Sequence, residues 1–160
     1  LELNIFSKDF LDFIELLNRY EVKYIIVGGY AVAFHGYPRY TGDLDIWIKN
    51  SDINAERIIS VLEEFGVNIP DLKKEDLTKD EPMTGLYFGK EPYKIDIIAA
   101  LDGLTFDECY SNSVTIFINK IEIRYLSFDD LKKNKKLTGR LKDLADIEEL
   151  EKRNLNSDEK

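Results

Sequence analysis

Three aspartates, a glycine pair and one lysine are the residues of this 160-residue chain whose types and spacing could do chemistry. Asp43 and Asp45 stand two apart in Asp43-Leu44-Asp45-Ile46-Trp47-Ile48. As a strand, this stretch sends Leu44, Ile46 and Ile48 to one face and Asp43, Asp45 and Trp47 to the other. At a rise of ~3.3 Å per residue the two aspartate Cα atoms lie roughly 7 Å apart on that face. Their carboxylates can converge to about 4 Å, where like charges repel by about 4 kcal/mol at an effective dielectric of 20. A divalent cation would relieve that repulsion. Asp is depleted in strands and ordinarily exposed, so a pair of this kind read by itself decorates a solvated sheet face.

What moves the reading towards a metal and phosphate site is the pair Gly28-Gly29, which ends the apolar run Tyr24-Ile25-Ile26-Val27. A buried strand halts at glycine where a ligand must approach the backbone, and a helix starting there offers free N–H groups to a phosphate. Asp96 sits alone inside the apolar run from Ile95 to Leu101. A carboxylate in a buried strand is costly without a partner, which could be an arginine, a backbone donor or a metal. If its strand lies beside Leu44–Ile48, Asp96 becomes the third member of a carboxylate cluster. Lys135 falls on the same helical face as Phe128 and Leu131, at i, i+3 and i+7, and therefore points inward, towards a structural carboxylate or a nucleotide phosphate.

These side chains need elements to hold them. Ser7 caps a first helix whose face is Phe10, Phe13, Ile14 and Leu17; the strand Tyr24–Val27 follows, then a short helix from the glycine pair, ended by Gly36 and Pro38. After the Asp-x-Asp strand a helix begins at Ser51 or Asp52, aligns Ala55, Ile58, Ile59 and Leu62, and closes at Gly66. The polar stretch between Pro70 and Pro82 accommodates one short helix near Lys73–Leu77. Strands are expected at Thr84–Phe88 and Tyr93–Ile98, joined by a turn from Gly89 to Pro92, and a hairpin at Thr115–Leu126 with Asn119-Lys120 as its turn. Ser127 and Asp130 read as a capping box for a helix broken at Thr138-Gly139. A last helix runs from Arg140 through Leu144, Ile147 and Leu150, fraying into a charged tail. An acidic residue in its first turn, Asp143, suits the helix dipole with or without a catalytic role. Lone His35, beside Gly36, reads as a helix-end residue.

Length fits one domain able to bury its own core. Cys109 has no intrachain disulfide partner, and a reducing, cytoplasmic setting fits. No membrane span or signal peptide is indicated. The net charge of -9 argues against broad, nonspecific nucleic-acid binding, yet Lys120–Lys142 carries eight basic and three acidic residues. A basic patch on an acidic body is expected.

Gly28-Gly29 followed by Asp43-Leu44-Asp45 and a later strand aspartate, Asp96, resembles the nucleotidyltransferase superfamily that includes DNA polymerase beta. The spelling Arg39-x-Thr41-x-Asp43-x-Asp45, with Asn134-Lys135 and Gly139-Arg140-x-Lys142-Asp143-x-x-Asp146, is similar to the abortive-infection type nucleotidyltransferase toxins of bacterial toxin-antitoxin pairs. The resemblance spans about Tyr24 to Leu150. It implies that Gly28 and Gly29 hold the triphosphate, that Asp43, Asp45 and Asp96 hold two magnesium ions, and that Asp96 helps deprotonate the acceptor hydroxyl. Lys135 would contact nucleotide phosphate, with Arg39, Thr41, Arg140 and Asp143 in support. Many members have Gly-Ser where this chain has Gly28-Gly29, so that phosphate contact falls to the backbone.

The expected architecture is α/β, a small twisted mixed sheet with helices on one face. Residues 1–126 would form the nucleotidyltransferase core, 127–153 a C-terminal helical pair covering the site, and 154–160 a tail. The leading functional expectation is a magnesium-dependent enzyme moving a nucleotidyl group from a nucleoside triphosphate, such as ATP, to a tRNA or protein hydroxyl, with an antitoxin as partner. Against it stand an aminoglycoside-type small-molecule transferase, which the acidic net charge favours, and a non-catalytic partner-binding module on the same fold.

Overall fold

The computed structural model describes residues 7–37, 42–79, 85–90 and 93–158. Six strands form one mixed sheet: β1 (Tyr24–Val27), β2 (Asp43–Ile48), β3 (Gly85–Lys90), β4 (Tyr93–Ile98), β5 (Val114–Ile118) and β6 (Ile121–Tyr125). Their spatial order is β3-β4-β2-β1-β6-β5. β2 lies antiparallel to β1 and parallel to β4, so the Asp-x-Asp strand is central.

The helices are α1 (Lys8–Arg19), α2 (Gly28–Phe34), α3 (Asp52–Phe65), α4 (Phe106–Asn112), α5 (Phe128–Thr138) and α6 (Leu141–Asp158). Their boundaries follow local chemistry. Ser7, Ser51 and Ser127 each accept a backbone N–H three residues on, and Gly66 and Gly139 close α3 and α5 in the left-handed conformation. Leu44, Ile46, Ile95 and Ile97 are buried on the sheet face that takes α1 and α3, where Phe13 packs edge-on against Phe65 and Phe88. Asn54, buried on α3, fixes the ends of two strands by bonding Lys23 N–H, Lys23 O and Lys49 O.

Four features depart from the sequence expectations. Helices are not confined to one face, because α4, which the sequence reading did not anticipate, brings Phe106 to 5.2 Å from Trp47 on the aspartate face. Its signals were short: Asp107 and Glu108 in the first turn and an apolar Phe106, Cys109, Tyr110 set. β3 continues through Gly89 to Lys90 rather than turning at Gly89; Glu91 and Pro92 lie outside the described residues. Ser127 caps α5 as expected, but the Asp130 carboxylate accepts from Asn112 Nδ2 at 3.5 Å, tying α5 to α4. Finally, α6 reaches Asp158, through most of the expected tail, supported by the i,i+4 pairs Glu148–Lys152 and Glu149–Arg153.

The C-terminal pair docks on α2. His35, the C-cap of α2, donates Nε2–H to Leu126 O at 2.7 Å, and its ring meets Phe128 edge-on at 5.6 Å. Burial lowers the His35 pKa, as suits a neutral packing residue.

Candidate functional site

The register β2–β4 sets Asp45 directly opposite Asp96, with Asp43 opposite Lys94. Cross-strand partners share a face, so all three carboxylates lie on the sheet face turned away from α1 and α3. Trp47 continues that row but is buried under Phe106, so α4 closes one end and leaves the aspartate end open. Asp43 is exposed at the start of β2, while Asp45 and Asp96 are partly covered.

Asp45 is the electrostatic focus. Burial, then Asp96 and Asp43, push its pKa up to about 7, against the smaller opposing pull of Lys135 and Lys142. The Asp96 pKa is also raised, by burial first and then by Asp43.

Gly28 sits against Asp45. Of the two glycines it alone is in the left-handed region, at φ +66. A Cβ there would collide with Asp45 Oδ2 and lie 3.0 Å from its Cγ. The absence of a side chain is therefore what lets the β1–α2 junction touch the carboxylate. Gly28→Ala should destabilise the fold by about 1–2 kcal/mol from the backbone conformation alone, more if the Asp45 side chain cannot yield. Urea denaturation measures it, and an unchanged midpoint would contradict the close approach.

Gly28, Asp45 and Asp96 line a cleft of about 250 Å³ whose opposite wall is Asn134, Lys135, Thr138, Arg140 and Asp143 from α5, α6 and their junction. The strand-end segment Ile98–Asp102 completes it. Lys135 is buried, as its helical position foretold, and its inward partners are carboxylates: Asp143 at 2.9 Å and Asp146 at 3.1 Å, both buried. Thr138 Oγ1 and Arg140 Nε donate to the second Asp143 oxygen at 2.7 Å each. Burial alone would raise the Asp143 pKa, but the bonds from Lys135, Thr138 and Arg140 outweigh it and hold the group at about 2. Thr138, Asn134 and Asp102 are site-wall residues that the candidate set omitted, as it did Asp146, which is outside the cleft lining and is the second partner of Lys135. Asp143 and Asp146 did carry a sequence signal, since at i and i+3 they share the helix face of Ile147 and Leu150. Arg39 and Thr41 lie outside the described residues.

The chain superposes on the crystal structure of a candidate nucleotidyltransferase from Thermotoga maritima with a TM-score of 0.58, over 86% of each chain and at 13% identity. The fold is nucleotidyltransferase-like. No protein-family model matches the sequence, and no curated protein matches it. In the nucleotidyltransferase-like fold, then, this chain presents carboxylates on the sheet and cations on the helical wall across one cleft. No helix among the described residues is long and apolar enough to cross a membrane.

Proposed function

We propose that the chain is a metal-dependent nucleotidyltransferase acting from a nucleoside triphosphate on a hydroxyl acceptor. The observation that carries this reading is the in-register pair Asp45–Asp96 lining a cleft, with Asp45 pressed against side-chain-free Gly28.

The donor set fits magnesium in kind: three carboxylates on one face, with the repulsion on Asp45 that a divalent cation relieves. Among the described residues no three acidic, histidine or cysteine side chains already close on one point, so Asp45 and Asp96 are the preformed part and Asp43 the outlying member. A bound magnesium would supply charge neutralisation and an acidified acceptor hydroxyl. The protein's own share is positional. Gly28 and Gly29 admit the triphosphate to backbone N–H groups, and Asp96, with its raised pKa, accepts the hydroxyl proton. On the far wall, Lys135 and Arg140 face the developing charge from within their network with Asp143.

Surface charge on α5 and α6 bears on the acceptor. Lys133, Lys136 and Lys142 are exposed and form no salt bridge among the described residues. They favour a polyanionic acceptor, such as a tRNA end, over a cationic small molecule. A role as the toxin of a toxin-antitoxin pair, in the cytoplasm, accords with the sequence resemblance. Calorimetry with ATP, CTP, GTP and UTP in magnesium tests the reading: binding of at least one is expected, and none above background would overturn it.

A further inference from the structure

The edge of the sheet away from the cleft carries a second feature. β5 is an outer strand paired only with β6, and its sequence, Val-Thr-Ile-Phe-Ile, has no charge, glycine or proline. Asn119 and Lys120 both have left-handed φ, as a two-residue hairpin turn requires, so Ile118–Ile121 is a hydrogen-bonded pair. Alternation then makes Ile116–Ile123 and Val114–Tyr125 the other bonded pairs and aims the N–H and C=O of Thr115 and Phe117 outward. Among the described residues none of these four groups has a hydrogen-bond partner. Phe117, beside them, is 66% exposed. The opposite edge, β3, differs: it contains Gly85, Gly89 and Lys90, features that blunt pairing.

We propose that β5 pairs antiparallel with β5 of a second copy of this chain. The open groups are self-complementary about Ile116: a two-fold axis there sets Thr115 opposite Phe117 of the other copy, and each residue's N–H and C=O find partners. Four backbone hydrogen bonds result, and Ile116 meets its own counterpart. Charge fits the same arrangement. Lys120, in the turn at one end of β5, forms no salt bridge among the described residues, and an antiparallel pair brings it to the α4 end of the other copy, where Asn112 contacts the Asp130 carboxylate. On its face of the sheet, α1 leaves room. α1 packs on β6, and the two copies of β6 would be three strand spacings apart, about 14 Å, beyond the 8–10 Å at which helices pack. The cleft lies three strands away from this edge and stays open in such a dimer.

Sedimentation equilibrium of the full chain at 1–100 µM, an order-of-magnitude range for a pairing interface, tests the proposal. The wild type is expected to be dimeric at the upper end. Thr115→Pro removes one outward N–H without touching the β5–β6 ladder, and should weaken association at least tenfold while leaving the circular dichroism spectrum unchanged. Phe117→Lys, which keeps the backbone intact and sets charge against charge across the edge, decides if the proline variant does not fold, with the same loss expected. Lys120→Glu should weaken the dimer more modestly. A monomeric wild type, including one that captures only a different protein, overturns the proposal, as does a folded Thr115→Pro or Phe117→Lys that dimerises like the wild type.

Discussion

Lys135→Met should lower stability at neutral pH by about 3 kcal/mol, the range found when one partner of a buried ion pair is removed. Methionine fills much of the same volume, so little of the loss comes from a cavity. The loss arises because Asp143 and Asp146, both nearly inaccessible, are deprived of the ammonium that holds them together. The pH dependence identifies this cause. Asp143 has a depressed pKa, so its bonds contribute stability that is present above the unfolded carboxylate pKa and lost as pH falls through about 2. Without Lys135 that contribution shrinks, and the deficit of the variant should narrow between about pH 4 and 2. Chemical denaturation across that range measures it; a deficit independent of pH would mean that Lys135 acts through packing alone.

Asp45→Asn should have the opposite sign. An acid whose folded pKa is raised from 3.8 to about 7 destabilises the fold when ionised, fully so above pH 7 and progressively less as pH falls towards 4. At 1.36 kcal/mol per unit the limit is about 4 kcal/mol. A buried amide recovers only part of this, so the metal-free variant should be more stable than the wild type by about 1–3 kcal/mol at pH 8 and roughly equal at pH 5. Transfer activity should be abolished. Denaturation of metal-free protein at the two pH values checks the stability, and a variant less stable at pH 8 would show that Asp45 is held by favourable bonds.

The contrast between these substitutions shows what the sequence could disclose. Alternation in Leu44–Ile48 and Ile95–Ile98 was enough to set Asp43, Asp45 and Asp96 on one face, because a strand's period is rigid. The register placing Asp45 opposite Asp96 depends on the parallel β2–β4 pairing, a long-range choice that no local pattern fixes. Lys135 was legible as inward for the same kind of reason, from helical period. Its partners were not, since they lie on a second helix whose angle is set by Gly139 in the left-handed conformation. α4 escaped notice because seven residues give too few turns for an apolar stripe to register. The left-handed φ at Gly28 was likewise invisible; together with the approach of Asp45 it explains why that position excludes a side chain.

In the proposed function, Asp45 and Asp96 are a carboxylate pair kept under mutual repulsion for a cation and a triphosphate. The most direct test is the melting temperature at pH 8, with and without magnesium and the nucleoside triphosphate that binds. A ligand at a hundred times its Kd stabilises the native state by about 2.7 kcal/mol, or roughly 5–10 °C for a chain of this length. The wild type should rise by that amount and Asp45→Asn should not respond, despite starting from the higher temperature. An equal rise in both proteins, or none in the wild type, would contradict the account.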